Sequence, residues 1–213
     1  FFLAKPGHNI RLIMKFRAVW VATVENIDWP SKRTLSVAEQ QAEFIRLVEM
    51  HHRNGMNALI VQIRPAADAF YSSSLEPWSE YLTGKQGLPP VPYYDPLEFM
   101  IRETHKRGME FHAWLNPYRA VFNIIRSSVA PNHISKQHPE WFVNYGDKKY
   151  FNPGIPAVRT HVAEVVKDIV KRYSIDAIHM DDYFYPYKIP GREFPDQSAF
   201  LLYGKGMTKD GID

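Results

Sequence analysis

The sequence predicts an α/β fold of the (β/α)8 TIM-barrel type, of which only the first four β/α units are present. Three observations support this. Short apolar, β-branched runs alternate with helical segments of about a dozen residues or more, and crossovers of that length imply parallel strands. Each run ends in polar or aromatic residues, and barrels of this type place their sites at the carboxyl ends of the strands. About thirty residues follow the fourth run, whereas a complete barrel needs about 250 residues. The 213 residues are therefore expected to comprise a leader without clear structure over 1–15 and the N-terminal half of a barrel over 16–213.

The first strand is expected over residues 17–24, running into a loop that holds Glu25, Asp28 and Trp29. Ser36 with Glu39 three residues on forms a capping box. The helix it starts, over 37–53, gathers Phe44, Leu47 and Val48 on one side before the stop at Asn54-Gly55. In the second strand, 57–65, Leu59, Val61 and Ile63 alternate with Ile60, Gln62 and Arg64. A long loop to about residue 94 carries Asp68, Tyr71 and Trp78, and loops of this length are commonly functional. Asp95-Pro96 opens a helix that ends near Arg107-Gly108.

The third strand and its exit span 110–119, with His112, Trp114 and Asn116 on one face and Phe111, Ala113 and Leu115 on the other. A second long loop contains His133, His138, Trp141 and Tyr145. A third helix over 157–173 shows Val158, Val162, Val165, Val166, Ile169 and Val170. The fourth strand puts Ile178 and Met180 on one face and His179 and Asp181 on the other, followed by Asp182, Tyr183, Phe184 and Tyr185. Residues 203–213 read as loop.

Composition narrows the function. With 45% hydrophobic residues the chain can bury a core, and a net charge of +3 without a dense basic run does not suggest nucleic-acid binding. No stretch approaches the roughly 18 apolar residues of a membrane span. Phe1-Phe2-Leu3-Ala4 is too short for a signal peptide. The absence of cysteine excludes disulfides, thiolate catalysis and Cys-ligated zinc. Aromatics make up 14% of the chain and gather near strand ends and loops, as on a surface that stacks against sugar rings.

Metal-dependent amide hydrolysis would call for His-x-His at the end of the first strand, where Ala22-Thr23-Val24-Glu25 stands instead. His51-His52 reads as a solvated helix face, and His112 and His179 as polar lumen packing, so no metal or other cofactor is expected. A phosphate site would lie after strands seven and eight. Glycoside hydrolysis needs a carboxylate nucleophile or base and a second carboxyl as acid. Asp181 is the first carboxylate by position and direction. Asp68, Glu25, Asp28 and Asp182 are candidates for the second, or it comes from a strand outside these four.

Four segments resemble the glycosyl-hydrolase-like family 10, a group of bacterial envelope glycosidases. They are residues 17–30, the Gln62-x-Arg64-Pro65-x-x-Asp68 core within 57–71, Trp114-Leu-Asn-Pro-Tyr-Arg119, and His179-Met-Asp-Asp-Tyr-Phe-Tyr-Pro186. The resemblance implies a TIM-barrel glycosidase whose sugar cleft is lined by Asp181, Asp182, Arg64, Asp68, Trp114, Asn116, Tyr118 and Arg119. His179 holds the place of the arginine found in α-amylase-type barrels. It further implies cleavage of O-glycosidic bonds in cell-wall polysaccharide such as peptidoglycan glycan, in a periplasmic, outer-membrane-anchored or secreted protein. The expected roles are Asp181 as nucleophile or base, Asp182 as supporting carboxylate, and Trp114, Tyr118, Tyr183 and Tyr185 as stacking surfaces. Arg64 and Arg119 are expected to position Asp181 or a substrate carboxylate. The competing expectations are a non-catalytic carbohydrate-binding barrel and a half-barrel scaffold that self-associates through its open edge.

Overall fold

A computed structural model describes residues 15–181 and 184–204. The expected leader, the tail beyond Gly204, Asp182 and Tyr183 lie outside the described residues. The elements run β1 (Ala18–Val21), α1 (Val37–Arg53), β2 (Ala58–Arg64), α2 (Glu80–Thr83), α3 (Pro96–His105), β3 (Glu110–Leu115), β4 (Arg119–Val121), α4 (Ile134–Gln137), β5 (Phe142–Tyr145), β6 (Lys148–Phe151), α5 (Pro156–Arg172), β7 (Ala177–Met180) and α6 (Gln197–Tyr203).

The parallel β-α alternation is borne out. β1, β2, β3 and β7 form a four-stranded sheet in that order, every pair parallel. The register pairs Trp20 with Ile60, Gln62 with Trp114, and Trp114 with His179. Side chains alternate between the sheet faces as the sequence predicts. On the outer face Val21, Leu59, Val61, Ile63, Phe111, Ala113 and Leu115 are buried, in one core with Phe44 and Val48 of α1, Phe99, Met100 and Ile101 of α3, and Val165 and Ile169 of α5. At about 25 cal/mol for each Å² of apolar surface removed from water, a dry face of this kind is the main stabilising contribution to the fold.

The helices start where the sequence says they should. Ser36 and Glu39 make the reciprocal capping box, and the Asp95 side chain accepts from the Glu98 N–H with Pro96 in the first turn. No helix among the described residues is long and apolar enough to cross a membrane.

Several elements depart from the expectations, among them the short helices α2 and α4 within the expected loops. The loop expected after the third strand instead contains a second, antiparallel sheet in the order β4-β6-β5. It buries Ala120 and Phe151 in a separate small core with Ala67, Ile134 and Val158. Residues 197–203, given no element by the sequence, form α6, with Leu201 and Leu202 exposed. The first strand ends at Val21, after which a 3-10 turn at Val24–Asn26 holds Glu25 and Asn26 at φ values of 53° and 56°. Such left-handed backbone is uncommon outside glycine and gathers at ligand sites.

Candidate active site

The carboxyl ends of the four parallel strands are tied together by a continuous chain of polar side chains. It begins at β1. The backbone N–H groups of Thr23 and Val24 both donate to Gln62 Oε1, each at 2.9 Å. At the end of β2, Gln62 Nε2 donates to Asn116 Oδ1. Beyond β3, Asn116 Nδ2 donates to Asp181 Oδ2 at 2.5 Å, beyond β7. Arg119 enters from the side, its Nη2 donating to Asn116 Oδ1 at 2.6 Å and its Nε to the Pro65 carbonyl at 2.8 Å. Thr23, Gln62 and Asn116 are all buried, so each lost contact would leave a desolvated polar group behind.

This arrangement determines how Asp181 stands. One carboxylate oxygen is fixed by the Asn116 amide. The other, Oδ1, is buried and accepts no hydrogen bond among the described residues. An ionised carboxylate oxygen without a partner in a low-dielectric setting is costly unless a substrate or water completes it. A second orphan lies one register step deeper on the same sheet face: Trp114 Nε1 is buried with no acceptor among the described residues. The Trp114 ring meets Trp20 edge-on at 4.6 Å between centroids, and Trp20 in turn meets His179 at 4.3 Å. The inner sheet face thus presents aromatic rings beneath a carboxylate, which suits a ligand with apolar faces and hydroxyl edges. Burial, and then the neighbouring His112, hold the His179 imidazole below its usual pKa.

The structure brings Asp181, Asn116, Arg119, Trp114 and His179 together, with Arg64 on the Asn116 carbonyl and Asp68 near Arg119, each of the two held in contacts of its own. Strand parity would put Arg64 on the inner face with Gln62. A register shift between Gln62 and Arg64 sets Arg64 opposite Leu115, whose side chain faces outward, and so breaks the alternation. Arg64 has no exposed surface. Its Nε donates to Glu76 Oε2 at 2.7 Å and its Nη1 to the Asn116 and Pro117 carbonyls at 2.6 and 3.1 Å. It acts as a clamp beneath the exit of β3 and does not reach Asp181. Burial works against ionising Glu76, but the Arg64 charge and a hydrogen bond from His161 override it and bring its carboxyl down to about 2.

Asp68 is also buried, accepting from the Ala66 N–H at 3.0 Å and Gln86 Nε2 at 3.3 Å. Burial raises its carboxyl to about 6 despite hydrogen bonds from Ser79, Gln86 and Ala66. Of the other acids, Asp28 Oδ2 caps the Ala22 N–H at 2.7 Å, and Glu25 Oε1 accepts from the Tyr81 hydroxyl at 3.3 Å.

Tyr118 lies edge-on to Phe184 at 6.2 Å. Tyr185 is half exposed, donates to Asp196 at 3.1 Å and packs against Phe194, which also contacts Tyr145 and Tyr150 of the small sheet. The small sheet thereby holds the segment that follows Asp181. Burial, reinforced by Asp196, pushes the Tyr185 phenol up to about 12. His112 stacks on Phe16 and pairs with Glu110. Gln62 stood in the sequence as a polar residue at a strand end and within the Gln62-x-Arg64-Pro65-x-x-Asp68 core of the family resemblance, but without a role. Thr23 lay within the resembling residues 17–30 without being singled out, and Glu76 carried no signal.

Comparisons with known proteins agree with this architecture. The chain is 56% identical over 198 residues to a glycosyl hydrolase, YngK, of Bacillus subtilis (strain 168), an alignment covering 92% of this chain and 38% of that protein. It is 37% identical over 215 residues to the glycosyl hydrolase DigH of Escherichia coli (strain K12), covering 93% of this chain and 48% of the relative. It thus spans less than half the length of either. Among solved structures, it superposes on α-L-fucosidase isoenzyme 2 from Paenibacillus thiaminolyticus with a TM-score of 0.52 at 17% identity, covering 79% of this chain and 23% of that one. The maltogenic α-amylase AmyB from Thermotoga neapolitana gives a TM-score of 0.51 at 11% identity, covering 89% of this chain and 42% of that one. These likenesses give the fold alone, a TIM-barrel type with a parallel sheet and packing helices. The family model described as glycosyl hydrolase-like 10 matches residues 15–211, and the chain belongs to that family.

Proposed function

We propose that the native protein is a glycoside hydrolase that cleaves O-glycosidic bonds of bacterial cell-wall or related polysaccharide, with Asp181 as nucleophile or base. The observation that supports this reading best is the state of Asp181. It stands at the carboxyl end of a parallel strand, with Oδ2 fixed by Asn116 and Oδ1 buried without a partner among the described residues. A carboxylate held by one oxygen is oriented before the substrate arrives, and the other oxygen is free to attack an anomeric carbon or take a proton from water. Trp114, Tyr118 and Tyr185 would supply stacking faces, joined by Tyr183. His179 and Arg119 would contact sugar hydroxyls or a substrate carboxylate, and Asp182 would support the charge beside Asp181. Both carboxyl oxygens of Asp68 and one each of Glu25 and Asp28 are engaged locally, and we assign the acid to a strand outside these four. A periplasmic, outer-membrane-anchored or secreted location belongs to the same proposal.

The test is Asp181→Asn in the native protein, assayed for new reducing ends and for glycan retention. Loss of turnover with retained binding is expected. Turnover near the wild-type rate overturns the assignment.

A second reading has its own observation. Phe16 and Trp20 on or beside the first strand are exposed, and β7 is only partly buried along its whole length. A half-barrel that associates through this open face would bind glycan without cutting it or serve as a scaffold. Light scattering over a concentration series separates the readings, since mass rises with concentration only if this face recruits a second copy.

A further inference from the structure

Gln62 has no role in the function proposed above, yet each of its polar side-chain atoms is engaged at the rim. It is completely buried. Its Oε1 accepts from two backbone N–H groups, Thr23 and Val24, and its Nε2 donates to Asn116 Oδ1. Thr23 Oγ1 closes the connection by donating to the Gln62 backbone carbonyl at 2.9 Å.

The two ends of a carboxamide are not equivalent, since one only accepts and the other only donates. Backbone N–H groups cannot reverse their role. Two of them on Oε1 therefore oblige the Gln62 NH2 to face Asn116. Asn116 must then turn its oxygen toward Gln62, where Arg119 adds a second donor at 2.6 Å. Its own NH2 is left for Asp181 Oδ2. The orientation of the last amide is thus set in series from the backbone at the end of β1. The charged groups next to this relay are Arg119, on Asn116 Oδ1, Arg64, on the Asn116 carbonyl, and Asp181 at its end.

We propose that Gln62 is a positioning residue that locks the Asn116 amide in the sense that donates to Asp181, so that Asp181 keeps Oδ1 free for the reacting group. This rests on Asp181 being the reacting carboxylate. A glutamine that merely fills the barrel interior would be indifferent to what stands at position 116. A positioning residue acts through Asn116 alone.

The test uses Gln62→Met and Gln62→Glu in the native protein. Met keeps the length without hydrogen bonds, and Glu sets an acceptor against Asn116 Oδ1. Both are expected to lower kcat by about ten- to a hundredfold with KM within about twofold, the size of a misplaced catalytic group. In an Asn116→Ala background, where the link is already cut, Gln62→Met is expected to cost no more than about twofold. A full additional loss in that background, or a wild-type kcat for Gln62→Met, overturns the proposal.

A second measurement needs neither turnover nor a stable variant at position 62. The side-chain amide resonances of Asn116 are expected to differ between the wild-type protein and Asp181→Asn. An Asn116 resonance that ignores Asp181 overturns the positioning role even if glycan is cut. A resonance that follows Asp181 in a protein that cuts no glycan supports the positioning and removes the hydrolase reading.

Discussion

The outer face of the parallel sheet and the rim at its carboxyl ends are built from the same strands on opposite principles. On the outer face Leu59, Val61, Ile63, Phe111, Ala113 and Leu115 have no exposed surface and belong to one apolar cluster. Their attraction has no direction, and volume-conserving apolar replacements there cost little. At the rim Thr23, Gln62, Asn116, Arg119 and Asp181 each have a particular partner, and a donor exchanged for an acceptor breaks the series. The outer face contributes stability. The rim gives some up, leaving Asp181 Oδ1 and Trp114 Nε1 buried without a partner among the described residues. The difference separates the changes that should unfold the protein from those that should only silence it.

The largest effect belongs to the rim. Asp181→Asn is expected to slow glycan cleavage by about 10³-fold or more, roughly 4 kcal/mol of barrier, with the melting temperature unchanged or raised. Equal losses of stability and turnover would erase the distinction between the two regions. Next comes the outer face. Phe111→Ala removes a completely buried ring from the middle of the sheet and is expected to cost about 3–5 kcal/mol in denaturant unfolding. The rate per folded molecule should stay near wild type.

Two buried acids sharpen the comparison through pH. The Asp68 carboxyl is raised to about 6 from 3.8, so the native state binds its proton more tightly than the unfolded chain does. Its contribution is complete below about pH 4 and is lost as pH rises through 6. Glu76 is lowered to about 2 from 4.5 and behaves in the opposite sense. Its contribution is present above pH 4.5 and is lost as pH falls toward 2. Unfolding free energy followed from pH 3 to 7 should therefore lose on the order of 2–3 kcal/mol on the alkaline side from Asp68. In Asp68→Asn the alkaline decline should be absent. A decline that survives the substitution would place its origin in another group.

Much of the scaffold is legible in the sequence because it depends on short-range periodicity. The alternation of Leu59, Val61 and Ile63, the spacing of Val158, Val162, Val165 and Ile169, and the Ser36–Glu39 box each specify an element and a face within a dozen residues. The direction of Asp181 follows from the same parity. What could not be read depends on distant partners. Gln62 and Asn116 meet across 54 positions, and nothing local in either residue announces the contact. Arg64 fails parity because a register shift re-aims it and because Glu76, from the following loop, receives it. The small antiparallel sheet is built of strands of three or four residues, too short for period-2 alternation to register.

The smallest expected effect provides the control. Ser36 and Glu39 cap α1 reciprocally, Glu39 accepting from the Ser36 N–H at 2.8 Å and Ser36 Oγ from the Glu39 N–H at 3.3 Å. The Ser36 hydrogen bonds hold the Glu39 carboxyl below its usual range. Ser36→Ala leaves one first-turn N–H without its side-chain acceptor and is expected to cost about 1 kcal/mol. The site is exposed, so water takes over part of the lost bond. The capped helix packs Phe44 and Val48 on the outer face, and it contributes no side chain to the Thr23–Gln62–Asn116–Asp181 series. Ser36→Ala should therefore lower the denaturant midpoint slightly and leave kcat unchanged. Gln62→Met, which leaves the buried Thr23 and Val24 N–H groups without their acceptor, should lower the midpoint more than Ser36→Ala does and, unlike it, lower kcat strongly. If Ser36→Ala lowered kcat in parallel, α1 would have to position the rim through the Trp29 indole, which donates to the Gln40 carbonyl at 2.9 Å, and the two regions would be one cooperative unit.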